Sequence, residues 1–223
     1  MALPTFKNQD LLINALTHRS ALNEQLSTSP ESNERLEFLG DAVLELATTK
    51  FLFAAMPNEQ EGMLTAYRSA LVKTTTLAEV ALELGLGEKL FMSKGEEASG
   101  GRQNIGLLAN TVEAVLGALY LDQGFEEAYK LVETYILPRL DEIKEKKLYK
   151  DAKSQLQELV QSKGFPAPEY IVIDESGPDH DREFTIKVLV DGLEAGRGKG
   201  KSKQLAQQSA AQFVLDHITD LKI

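Results

Sequence analysis

Two spacings of apolar and polar positions divide this chain. Up to about residue 150 the apolar residues recur near every 3.6 positions, the period of a helix. The most informative stretch runs from about Ser32 to Ala54. There Leu36, Leu39, Val43 and Leu46 follow the spacing of a buried stripe, and Glu34, Glu37 and Asp41 stand at i, i+3 and i+7 on another side. Ser32 or Asn33 is placed to cap this helix and Pro57 to stop it. A short helix from Leu11 to Leu16 precedes it, across a polar connection at 27–31. Glu61 to Leu84 reads as one periodic element closed by Gly85 and Gly87, and residues 93–103, rich in Gly, Ser and charge, as an exposed loop. Ile105 to Leu121 is almost wholly apolar, which predicts a buried helix, and Gly124 starts a last helix to about Lys147.

Beyond the charged segment 144–150 the pattern changes. Ala152 to Lys163 predicts a helix ended by Gly164. Residues 170–173 and 183–190 predict strands joined by a turn at 176–180, and Leu193 to Arg197 a short third strand. Ser202 to Ile218 predicts a helix rich in Ala and Gln. The expected architecture is therefore an all-α domain at 1–147, a linker at 148–150, and a small α+β domain at 151–223 in the order α-β-β-β-α.

Charge adds detail. The 223 residues carry a formal net charge of −10, which argues against indiscriminate polyanion binding. Residues 1–150 hold 15 Lys and Arg against 22 Asp and Glu, and residues 151–223 hold 9 against 12. Within the second part, Arg197, Lys199, Lys201 and Lys203 share one window free of acids, a local phosphate site or a solvated loop. There is no cysteine, which removes disulfides, zinc–thiolate sites and thiol nucleophiles and fits a reducing compartment. No apolar run approaches the roughly 20 residues of a bilayer span and no signal-peptide pattern opens the chain. A soluble, cytoplasmic protein without membrane contact is expected.

The candidate chemistry lies on two of the predicted helices. Glu34, Glu37 and Asp41 repel one another on one helix side, at a few tenths of a kcal/mol per pair. A solvated acidic face is the plain explanation; a cation site is the other. Gly40 sits inside the same helix, where it costs about 1 kcal/mol relative to Ala, so something is expected to approach its backbone closely. Glu113 stands in the most apolar helix, where a lone carboxylate is costly unless it pairs with a base such as Arg68 or shares a metal ion. Asn110 offers a carbonyl oxygen three residues earlier, on the same side.

These residues carry a resemblance. Asn33 to Asp41, NERLEFLGD, resembles the signature of the bacterial ribonuclease III family. The segments Leu16-Thr17-His18-Arg19-Ser20, Glu61-Gly62, Tyr67-Arg68-Ser69-Ala70-Leu71-Val72, Gly100-Gly101 and Thr111-Val112-Glu113-Ala114 extend it in order. The second part resembles a double-stranded-RNA-binding domain through Gly177-Pro178-Asp179-His180 and through Gly198-Lys199-Gly200-Lys201-Ser202-Lys203 before an Ala-rich helix. The resemblance implies a homodimer that cleaves double-stranded RNA with Mg²⁺, or with Mn²⁺ as a substitute, one strand per subunit, to 5′-phosphates and short 3′ overhangs in rRNA and other RNA processing. By motif position it implies catalytic and metal-binding roles for Asp41 and Glu113, metal binding by Glu37 and Asn110, and supporting roles for Glu34 and Glu61. The family usually carries Asp at the position of Asn110, so metal affinity is expected to fall. A weakened or inactive dimeric RNA-binding protein is the alternative that this departure raises.

Magnesium takes hard oxygen ligands and keeps several waters, so three carboxylates and an amide suit it. His18 is assigned to packing or hydrogen bonding near the first helix. The resemblance puts His180 in a loop that enters a minor groove, where A-form RNA is read through 2′-hydroxyls and shape. Gln157 and Gln161, on one helix face, are candidates for the same role. Lys201 and Lys203, at a helix start, are candidates for phosphate contacts. A di-iron bundle would need Glu-x-x-His pairs, which the sequence lacks.

Overall fold

A computed structural model describes residues 3–178 and 182–217. The chain divides into two compact units, Met1–Tyr149 and Lys150–Ile223. The first is helical: α1 (Gln9–Ala15), α2 (Arg19–Asn23), α3 (Glu34–Ala55), α4 (Glu61–Leu71), α5 (Thr74–Glu83), α6 (Leu86–Lys89), α7 (Lys94–Ala98), α8 (Ile105–Gln123), α9 (Phe125–Tyr135) and α10 (Leu140–Glu145). The second runs α11 (Ala152–Ser162), β1 (Glu169–Ser176), β2 (Glu183–Val190), β3 (Leu193–Gly200) and α12 (Lys203–Asp216). The first unit is thus all-α and the second α+β, in the expected α-β-β-β-α order.

The first unit is organised around α8, and its longest packing partner is α3. Ten of the 19 residues of α8 are buried, from Leu108 to Leu119. Its length and mean hydropathy of 1.3 would also suit a membrane span, but Leu108, Val112, Val115, Leu116 and Leu119 lie in the core of this unit. The approach of α3 to α8 is set by two glycines. A Cβ on Gly40 would stand 1.7 Å from the Glu113 carbonyl oxygen, and one on Gly117 would stand 2.2 Å from the Leu36 carbonyl oxygen. No side chain fits at either position, so backbone rests on backbone. The predicted close approach at Gly40 is therefore α8 itself.

Several local expectations change. The buried face of α3 is Leu36, Gly40, Val43, Leu44 and Ala47, not the stripe through Leu39 and Leu46. It is centred on the glycine contact, which turns Leu46 outward to 58% exposure. Neither Ser32 nor Asn33 caps α3 through its side chain: Asn33 donates to the Ala15 carbonyl at 3.2 Å, and Ser32 donates to Glu34 at 2.9 Å. The element predicted at 61–84 is two helices, broken at Val72 and Lys73, where Thr76 donates to the Ala70 carbonyl. Residues 93–103 are structured. Ser93 caps α7, and Arg102 folds back to donate to the carbonyls of Gly87 and Leu90 at 2.7 and 3.1 Å. The last helix of this unit is interrupted at Leu137–Arg139, where Pro138 lacks an N–H to continue it.

In the second unit β1, β2 and β3 form an antiparallel sheet in that order, covered by α11 and α12. Ile186, Val188 and Val190 of β2 point into the core against Leu156, Val160, Ala210 and Val214. The third strand is longer than expected, reaching Gly200. Arg197 and Lys199 therefore lie on a strand, paired with Glu194 and Glu183, and the predicted basic window is split between that strand and the start of α12. Glycines again set the packing: a Cβ on Gly198 would meet the Ala210 nitrogen at 2.1 Å, and one on Gly200 the Ala206 nitrogen at 2.6 Å.

Candidate nuclease centre and RNA-facing groups

The glycine contact decides where the acids go. On α3, Glu37 and Asp41 stand three residues before and one after Gly40; on α8, Asn110 and Glu113 stand seven and four residues before Gly117. With backbones touching at Gly40 and Glu113, the charges of Glu37, Asp41 and Glu113 act on one another, and Asn110 acts on Glu37. Glu113 is half-buried, and its carboxyl is pushed up to about 7, first by loss of water and then by the charges of Asp41 and Glu37. Burial also raises the Glu37 carboxyl; a hydrogen bond from the Asn110 amide opposes the rise, and Glu34 and Asp41 add to it. The electrostatics are those of like charges crowded without a counter-charge.

Among the described residues no basic side chain pairs with Glu37, Asp41 or Glu113. The plainer expectation for Glu113, an ion pair with Arg68, is not met: Arg68 pairs with Glu45 at 3.2 Å and donates to Thr49 at 3.0 Å. Among the described residues no three His, Asp or Glu side chains are gathered tightly enough to enclose an ion. The donor set still fits a hard cation, because all its oxygens come from carboxylates and an amide and one of the carboxylates is desolvated.

The two supporting acids separate. Glu34 stays with the group, on the rim, 3.6 Å from Arg19. Glu61 does not. It begins α4, accepts from Thr65 at 3.0 Å, and lines a different hollow with Thr49, Phe53 and Arg68. A cleft of about 400 Å³ opens beside Glu37 and Asn110, walled also by His18, Arg19, Glu34 and Thr111. Asp41 and Glu113 are not among its walls. The sequence reading missed this use of His18 and Arg19. The signal available was their place inside the segment Thr17-His18-Arg19-Ser20, quoted for resemblance but not for chemistry.

In the second unit Gln157 and Gln161 are exposed on α11. Gln157 shares a hollow of about 430 Å³ with Ser154, Gln204 and Gln208, the last two from α12. Gln161 lies outside it. Lys201 and Lys203 are exposed where α12 begins; Ser202 caps that helix, accepting from the Leu205 N–H at 3.2 Å. The Lys203 ammonium also lies 5.7 Å from the centre of the Phe184 ring. His180 lies outside the described residues.

Known proteins resemble this chain in sequence and fold. A family model described as Ribonuclease-III-like matches residues 8–140, and one described as double-stranded RNA binding motif matches residues 152–218. Ribonuclease 3 of Pelotomaculum thermopropionicum is 47% identical over 210 residues, covering 94% of this chain and 87% of that protein. Ribonuclease 3 of Geobacillus kaustophilus is 47% identical over 212 residues, covering 95% and 86%. The solved nuclease domain of ribonuclease III from Campylobacter jejuni, described for flexibility in a region involved in dimer formation, matches with a TM-score of 0.55 at 41% identity. It covers 60% of this chain and 90% of that one.

Proposed function

The chain belongs to the ribonuclease III family and is an endoribonuclease, and from that premise we propose that it cleaves double-stranded RNA with Mg²⁺, or Mn²⁺ in its place, held by Glu37, Asp41, Asn110 and Glu113. The observation that carries this reading is the backbone contact at Gly40 and Gly117, which brings two acids of one helix against an acid and an amide of another. When bound, such an ion activates the attacking water and neutralises charge on the phosphate oxygens.

The chain's own groups do the rest. Burial, and then the charges of Asp41 and Glu37, raise the Glu113 carboxyl to about 7, so it carries a proton part of the time near neutral pH, and a bound cation would favour its charged form. The Asn110 amide beside Glu37 favours its charged form, which an aspartate there would not. The loss of one negative charge at position 110 is thus partly offset. Glu34 supports the site from its rim, while Glu61, in a separate hollow, is left out of this assignment.

In the second unit we assign Gln157, Gln161 and His180 to 2′-hydroxyls and Lys201 and Lys203 to phosphates. We extend the reading to a homodimer. Phe38, Leu46 and Phe53 are 84, 58 and 75% exposed and share one side of α3, next to the acids. The first unit's own core leaves that side of α3 uncovered. The products would be 5′-phosphates with short 3′ overhangs, the substrates duplexes in ribosomal and other precursor RNAs, and the compartment the cytoplasm, in keeping with a chain free of cysteine.

The test is cleavage of a plain RNA duplex across a Mg²⁺ titration. Asp41→Asn is expected to lower the single-turnover rate at least 100-fold, on the order of a lost charge-stabilising group, while gel-shift affinity stays unchanged. A variant that cuts at the normal rate would sink the assigned centre.

A further inference from the structure

The cleft beside Glu37 contains a donor that neither the sequence reading nor the assignment of the acids uses. His18 precedes α2, and its backbone N–H donates to the Phe91 carbonyl at 2.9 Å, which fixes the residue against the rest of the unit. Its ring is fixed as well. The Ser93 N–H donates to Ser20 Oγ at 3.0 Å, and Ser20 Oγ lies 2.8 Å from His18 Nδ1. The direction of that second contact follows from the state of Nδ1. The Ser20 N–H, 3.4 Å away, directs a hydrogen at Nδ1. Nδ1 is therefore an acceptor, and the ring proton sits on Nε2. Among the described residues Nε2 has no hydrogen-bond partner.

Arg19 is the second donor in the same wall. Its only ion pair among the described residues is to Glu34 at 3.6 Å, with both side chains more than half exposed. Such a pair is weak and easily exchanged for another anion. The cleft thus presents an oriented N–H and an exchangeable guanidinium next to Glu37 and Asn110, in a space of about 400 Å³. That combination donates to acceptor oxygens, which a duplex offers along its sugar–phosphate backbone.

We propose that His18, through Nε2–H and helped by Arg19, holds a sugar–phosphate oxygen of the nucleotide next to the scissile phosphate on the strand being cut. The proposal rests on the endonuclease reading above. His18 is on this account a positioning residue that aligns the strand over the acids. The oxygen belongs to a 2′-hydroxyl or to a phosphate; both accept the same hydrogen.

The experiment compares single-turnover cleavage by the full chain and by His18→Asn at saturating Mg²⁺. The substrates are single-site RNA duplexes carrying one 2′-deoxy or one methylphosphonate nucleotide at successive positions near the cut. Asparagine keeps a side-chain acceptor for the Ser20 N–H but reaches no donor to the place of Nε2. His18→Asn is expected to cut the unmodified duplex roughly five- to tenfold more slowly, the size of one hydrogen bond. One modification should cost the wild type a similar factor and cost the variant nothing; a deoxy position identifies the 2′-hydroxyl, a methylphosphonate position the phosphate. His18→Gln, which returns an N–H near Nε2, is expected to regain both rate and sensitivity. Unchanged cleavage by His18→Asn, or losses that multiply at every position, would overturn the proposal. If His18→Asn does not fold, the same scan on His18→Gln decides: a position-specific loss like the wild type's supports it, and insensitivity at every position overturns it. A wild-type chain that leaves the unmodified duplex intact would defeat the endonuclease reading itself, and this proposal with it.

Discussion

Both units bring two elements into backbone contact through glycine, and they use the contact for different ends. In the second unit Gly198 and Gly200 of β3 press against Ala206 and Ala210 of α12. The side chains buried along that seam are apolar, Ala206, Ala210, Ala211 and Val214, and charged groups such as Lys199 and Lys203 are not buried there. In the first unit Gly40 and Gly117 press α3 against α8, and the seam is flanked by Glu37, Asp41, Asn110 and Glu113. One contact packs a sheet on a helix. The other uses equally tight packing to hold carboxylates where their repulsion is greatest. Close approach alone does not make a site; what stands one turn away from it does.

The sharpest way to break this comparison is Gly40→Ala. In an open helix the change would gain about 1 kcal/mol. Here the new methyl would sit 1.7 Å from a backbone oxygen that cannot move by itself, and overpacking of that kind costs about 3 kcal/mol or more. The clash wins. Thermal unfolding is expected to fall by roughly 10 °C or more, with loss of cleavage. Gly198→Ala tests the other seam, where the new Cβ would meet a backbone nitrogen at 2.1 Å. It should weaken duplex binding in a gel shift by at least roughly tenfold, the equivalent of about 1.4 kcal/mol, while a calorimetric transition of the first unit persists.

A smaller effect sharpens the account of the acids. The Glu113 carboxyl is raised from 4.5 to about 7 in the folded chain, so between those values the folded state binds more protons than the unfolded one. Metal-free stability from this group is therefore highest below pH 4.5 and falls as pH rises through about 7. Glu113→Gln removes the penalty. At pH 8 in a chelator it is expected to be more stable than the wild type by about 1–2 kcal/mol, after a discount for the solvent that reaches the group. An equal or lower melting temperature at pH 8 would contradict the crowding described above. Smallest is Asn110→Asp. It adds a fourth negative charge and removes a donor to Glu37, so half-maximal cleavage should need several-fold less Mg²⁺, read from a titration of rate.

Much of this seam was legible in the sequence, but only from one side. Gly40 stood out because a helix interior penalises it and charged residues surround it. Gly117 did not, because Leu116 and Ala118 make it look like one more small residue of a buried helix. The pairing of the two is a tertiary fact that periodicity on either helix cannot express. Phe38 was ambiguous for a related reason: an apolar residue reads the same whether a core or another molecule covers it. The ordered segment at 93–103 was hidden by its Gly and Ser content, since its order depends on Arg102 reaching carbonyls far back in the chain. The donor at His18 depends on a serine hydroxyl held by residue 93, more than 70 positions away.

The helix that carries Asn110 and Glu113 is also the one against which most of the first unit condenses. A loosened α8 would dismantle the core before it dispersed the acids. If the proposed assignment holds, reagent and keystone are the same piece, and damage to either is expected to be felt as loss of both.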